Sequence, residues 1–176
     1  MTAPNVGNPT HPAVTNQLRL PRTAALGPGR GGQQRLLIDA PAGAAEIYLH
    51  GATVTSWVPR GGSEVIFTSR QAVFDGATAI RGGIPLCLPE FGVGINGDAV
   101  PKHGWARIAP WRLRTVTTTD GGGVRALLSV SRDRLTALYE VEVGETLRLG
   151  LSLRNEGAEP RTVEAAAHTY LSVHDV

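Results

Sequence analysis

The run Thr146-Leu147-Arg148-Leu149-Gly150-Leu151-Ser152-Leu153-Arg154 alternates leucine with small, polar or charged residues throughout. A period of two sends the four leucines to one face of an extended chain and the remaining side chains to the other, the pattern of a strand with one buried side. Thr136–Val143 behaves in the same way, and Gly144-Glu145 joins the two runs as a tight turn. Upstream, Arg112–Thr117 leads into Asp120-Gly121-Gly122-Gly123, with Val124–Ser131 as its hairpin partner. Earlier still, Arg35–Asp39, Ala45–His50, Thr53–Val58 and Glu64–Thr68 are short apolar runs separated by turn residues. Asn155-Glu156-Gly157 closes the leucine strand, and another strand begins within Thr162–Val173. No stretch sustains a helical apolar period and no repeat of fixed length is visible, so the expected class is all-β, a sandwich or barrel.

A chain of 176 residues with 41% apolar content is one globular domain with a sizeable core. Residues 1–31, rich in Pro, Gly, Thr and Asn, read as a disordered tail, and residues 32–176 as the folded part. No apolar run reaches bilayer length, and the N-terminus lacks a basic region followed by an apolar stretch. A cytoplasmic protein without membrane partners is expected. The 17 basic residues nearly match the 15 acidic ones, the arginines are scattered and aromatics make up only 5%, which argues against nucleic acid. A single cysteine excludes an internal disulfide, and Cys87, between Leu86 and Leu88, reads as a small buried apolar residue. The five histidines show no ligand spacing, so no metal is expected.

One segment departs from the strand pattern. It runs Arg81-Gly82-Gly83-Ile84-Pro85-Leu86-Cys87-Leu88-Pro89-Glu90-Phe91-Gly92, through a Gly/Asn/Asp loop, to Pro101-Lys102-His103-Gly104-Trp105-Ala106-Arg107. Glycine permits positive φ and close approach to a ligand, and proline stiffens the path. Between them stand two arginines, the only lysine and a histidine. Taken singly, an arginine is ordinarily a solvated surface residue and a histidine a structural one. Grouped on a rigid frame, these side chains suit an anionic, hydroxyl-bearing small molecule, because guanidinium forks match phosphate oxygens.

The same segment resembles the signature of the glucose-6-phosphate 1-epimerase (hexose-6-phosphate mutarotase) family, within the aldose 1-epimerase, or galactose mutarotase-like, superfamily. The resemblance extends through Gly51-Ala52-Thr53-Val54-Thr55-Ser56-Trp57 and Ala72-Val73-Phe74-Asp75-Gly76 to Trp111 and His168-Thr169-Tyr170-Leu171. It implies a galactose mutarotase-like β-sandwich (supersandwich), with no cofactor and a hexose 6-phosphate as substrate. It also implies that Arg81 and Arg107 bind the phosphate, that Lys102 and His103 contact the sugar, and that His168 is the catalytic acid on the ring oxygen. Lys102 stands where the family commonly has glutamine. The family's base is a glutamate late in the sequence, and none follows the His-Thr-Tyr run before Val176. The expectation is therefore a C-terminally incomplete domain, with Glu90, Glu164 and Asp175 as the carboxylates nearest the site motifs.

Two functions from different classes stay open at this point. The chain is an isomerase that interconverts sugar phosphate anomers, impaired by loss of its base. Alternatively, it is a non-catalytic β-sandwich that at most binds sugar phosphate and self-associates through exposed strand edges. A generic β-sandwich interaction module would account for the strands but not for the Arg/Gly/Pro/His segment.

Overall fold

The structure, a computed structural model, describes residues 18–173. Four strands, β1 (Ala24–Pro28), β2 (Gln34–Ala40), β3 (Gly43–Tyr48) and β4 (Thr53–Pro59), form an antiparallel sheet in chain order. β6 (Arg112–Thr118), β7 (Val124–Arg132), β8 (Leu135–Val143) and β9 (Leu147–Asn155) form a second meander, and between the two lies a short antiparallel pair, β5 (Leu86–Cys87) with β10 (Ala166–Ala167). The class is all-β, as the alternation in the sequence predicts.

One core joins the two large sheets. Leu36, Ile38, Ile47 and Val54 from the first pack with Leu113, Val124, Leu128, Tyr139 and Val141 from the second. β8 shows the cleanest pleat, with Leu135, Ala137, Tyr139, Val141 and Val143 buried and the residues between them facing outward. The β9 leucines face the same way but are only half-buried, because β9 is the last strand of its sheet among the described residues. The β7–β8 turn at Asp133-Arg134 takes positive φ at both residues (49° and 59°) without a glycine, so the dipeptide does not look like a turn in the sequence.

Three expectations need correction. The tail expected over residues 1–31 does not hold for residues 24–31: Ala24–Pro28 pairs with Gln34–Ile38, and Arg30 lies over the Phe74 ring (4.3 Å) while its backbone N–H donates to the Tyr48 hydroxyl (2.8 Å). Residues 1–17 lie outside the described residues. Glu64–Thr68 makes only isolated bridges, Ile66 to Leu171 and Thr68 to Gly82. There the Glu64 carboxylate accepts the Trp57 and Ile66 amides (2.9 and 2.8 Å), while Val65 and Phe67 donate to the Trp57 and Tyr170 carbonyls (both 3.0 Å). Thr162–Val173 is regular only at Ala166–Ala167. The segment it lies along contains Pro85 and Pro89, which accept from Glu164 and His168 but have no N–H to return.

The core yields a paired expectation. Leu128 is fully buried on β7, and truncating such a leucine costs about 2–5 kcal/mol. The Tyr139 hydroxyl is buried with no partner among the described residues, and burial drives its pKa well above the ordinary value. In urea denaturation, Leu128→Ala should lower stability by that amount, whereas Tyr139→Phe should stay within about 0.5 kcal/mol of the parent or exceed it, since it removes an unsatisfied polar group.

Candidate active site

The residues 82–89 form a spine that both flanking segments grip. On one side Leu88 N–H donates to the His103 carbonyl (3.3 Å) and Ala106 N–H to the Leu88 carbonyl (3.0 Å). On the other, His168 N–H donates to the Pro85 carbonyl and Tyr170 N–H to the Gly83 carbonyl, both at 3.0 Å. The spine is tied in turn to the first sheet through Ile84 N–H and the Val54 carbonyl (2.9 Å). Gly83 (φ 72°) and Gly104 (φ 68°) are required: a Cβ on Gly104 would collide with the Leu88 carbonyl.

This arrangement brings together side chains from distant parts of the sequence. Arg81, His103, Arg107, His168 and Tyr170 line a single cleft, with Ile80, Pro85 and Cys87 at its floor and side. The His168 and Tyr170 rings stack at 5.0 Å between centroids, and His168 meets His103 edge to face at 6.0 Å. The cleft encloses about 160 Å³, less than the roughly 300–1,000 Å³ usual for a ligand pocket. These residues therefore make one wall of a site and do not surround a ligand.

The wall is cationic. No described carboxylate or carbonyl takes the Arg81 guanidinium, and its side chain is exposed. Arg107 donates one N–H to the Lys102 carbonyl (2.9 Å), while its Nε is buried with no partner among the described residues. Lys102 itself is exposed and is not among the residues lining the cleft; its backbone anchors Arg107. His103 has its pKa lowered, first by desolvation and then by the positive charges of Arg107, His168 and Lys102. Among the described residues no carboxylate lines the cleft: Glu90 and Glu164 border an adjacent depression with Asp98. Asp175 lies outside the described residues.

The wall bearing Ala79–Arg81 is held from behind by a second apolar cluster, Tyr48, Ala72, Phe74 and Ile80. Asp75 shapes the turn before it, accepting the Ala77 and Thr78 amides (2.8 and 2.7 Å) and the Thr78 hydroxyl (2.9 Å). Those bonds draw its carboxyl down to about 2. The contribution of Asp75 to the fold is thus complete above the ordinary 3.8 and is lost as pH falls through about 2. Tyr170 and Cys87 are site residues that sequence reasoning did not select. The period of two that puts Tyr170 on the same face as His168 was a usable signal, whereas Cys87 is buried to 1% exposure and resembles any core residue.

The family comparison bears on this constellation. Residues 34–176 match the family model described as "Aldose 1-epimerase". The chain belongs to the aldose 1-epimerase family. Curated relatives carrying the name "Putative glucose-6-phosphate 1-epimerase" include one from Escherichia coli, 32% identical over 80% of this chain and 49% of its own length, and one from Cenchrus ciliaris, 40% identical over 75% of this chain and 44% of its own. The solved structure of a Salmonella typhimurium protein described as a "putative mutarotase" superposes with a TM-score of 0.77 at 29% identity, over 89% of this chain and 54% of that one. This aldose 1-epimerase family member therefore has the galactose mutarotase-like β-sandwich fold, and it spans about half the length of the curated relatives it matches.

Gly104→Ala should cost at least about 1–3 kcal/mol from the left-handed backbone alone, before the collision with Leu88. Urea melts should show the loss, and the histidine resonances of the cleft should shift even where the protein still folds.

Proposed function

We propose that this cleft binds the phosphate of an aldohexose 6-phosphate and supplies the acid for interconversion of its α and β anomers. The observation that carries the reading is the convergence of Arg81, Arg107, His103 and His168, from three separate segments, on one cationic cleft. Arg81 and Arg107 take the phosphate, which also gives the buried Arg107 Nε an acceptor. Lys102 adds positive charge at the rim, and His103 positions the sugar through a ring nitrogen. His168 donates a proton to the ring oxygen as the bond from C1 to that oxygen breaks, while the C1 hydroxyl proton leaves to a base. The open-chain aldehyde rotates about C1–C2 and recloses on its other face, the protons returning by the reverse steps.

A second reading has its own observation. No carboxylate lines the cleft among the described residues, so the acid stands there without a partner base. On this reading the described residues bind sugar phosphate without turnover.

Exchange NMR on equilibrated glucose 6-phosphate separates the two readings. The isomerase reading expects α–β exchange that rises above the buffer rate in proportion to protein and falls on His168→Ala with binding retained. Exchange at the buffer rate, alongside measurable binding, would leave the binding protein. Arg81→Ala should weaken glucose 6-phosphate binding about tenfold or more, in line with about 1.5–3 kcal/mol for a hydrogen bond to a charged group, and leave thermal stability nearly unchanged. Equal loss for glucose and its phosphate would sink the assignment of Arg81 to the phosphate.

A further inference from the structure

His103 is the most constrained side chain in the cleft. Its backbone is left-handed (φ 65°), a conformation that a non-glycine residue keeps only where its surroundings impose it. Here they do. His103 N–H donates to the Gly92 carbonyl (2.6 Å), the His103 carbonyl accepts from Leu88, and Gly92 N–H donates back to the ring at Nδ1 (3.1 Å). Phe91 meets the ring edge-on at 5.1 Å, and the Cys87 sulfur lies 3.5 Å from the same Nδ1. The other ring nitrogen, Nε2, has no hydrogen-bond partner among the described residues, and the side chain lines the cleft.

A backbone amide is always a donor, so the nitrogen it points to must be an acceptor. Cys87 is buried and its pKa is raised by that burial, against a smaller lowering by Arg107. It is therefore a thiol, 3.5 Å from the one Nδ1 lone pair that the Gly92 amide also faces, and it can share that lone pair as a second, weaker donor. Protonating Nδ1 would set a new N–H against the fixed N–H of Gly92 and cost that bond, in a place already crowded by the charges of Arg107, Lys102 and His168. Of the carboxylates on the packed segments, Glu164 has one oxygen on the Phe91 amide (3.3 Å), and it and Glu90 border the adjacent depression, not the cleft.

We infer that His103 is locked as the neutral Nε2–H tautomer by the Gly92 amide and the Cys87 thiol, making Cys87 a positioning residue for a hydrogen-bond donor that faces the cleft. Of the two facing imidazoles, His103 is then a fixed donor to a substrate oxygen, and proton exchange during turnover falls to His168. The tautomer stands on the geometry alone; the identity of the oxygen that accepts from Nε2 rests on the function proposed above.

The test uses the full chain, labelled with nitrogen-15, and two-bond proton–nitrogen spectra of its histidines without ligand, the His103 signals being assigned by their absence in His103→Gln. The expected result is an unprotonated Nδ1 and a protonated Nε2 at neutral pH, with the ring charging only below the ordinary histidine value of about 6.5. Cys87→Ser, which keeps a donor, should preserve this pattern. Cys87→Ala admits water beside Nδ1 and should move the charging midpoint up toward that ordinary value. A protonated Nδ1 in the parent would overturn the inference, and a Cys87→Ala titration identical to the parent would overturn the part played by Cys87. With glucose 6-phosphate as the probe, His103→Asn should weaken binding about tenfold more than His103→Gln, whose amide can reach the Nε2 position. Equal losses would remove the donor role. If glucose 6-phosphate fails to bind the parent, the functional reading falls while the ligand-free spectra still decide the tautomer.

Discussion

The site depends on a short stretch of backbone that is hydrogen-bonded on both flanks. Residues 82–89 offer carbonyls at Gly83, Pro85 and Pro89 to one neighbour, and they exchange bonds at Leu88 with the other. Because the spine is also fixed to Val54 in the first sheet, the two flanking segments cannot shift relative to each other without breaking buried bonds. Buried Leu86, Cys87 and Leu88 add an apolar anchor below. The arginines and histidines thus sit on rigid backbone, although little of it is regular strand.

Proline explains that irregularity and also makes it useful. Pro85 and Pro89 accept hydrogen bonds but give none, so the segment at residues 164–172 is held at alternate points and does not run as a continuous ladder. Its side chains still follow the extended period closely enough for His168 and Tyr170 to stack on one side.

Electrostatics separates the two imidazoles of the cleft. His103 has its charged form disfavoured by desolvation and then by Arg107, His168 and Lys102, and its Nδ1 faces the Gly92 amide and the Cys87 sulfur. His168 is exposed beside Tyr170. Two chemically identical rings only 6.0 Å apart are therefore placed in unlike surroundings.

The strands of the second sheet were legible because their period of two reflects one buried and one solvated face, a property carried by each strand alone. The Arg81–Arg107 segment was likewise legible as a rigid, irregular frame and as the mark of its family, since its glycines and prolines state their backbone needs directly. Other features came only from the tertiary structure. The strand at Ala24–Pro28 owes its order to β2 and to the contacts of Arg30 with Phe74 and Tyr48, none of them neighbours in sequence. Glu64–Thr68 looked like a strand but is bonded at single points to several segments, at Trp57, Gly83, Tyr170 and Ser172, with the Ile66 amide on the Glu64 carboxylate. Which residues share the cleft, and that Lys102 is not among them, depend on distances between segments far apart in the chain. Sequence determined what each segment was able to do locally; only packing decided which segments met.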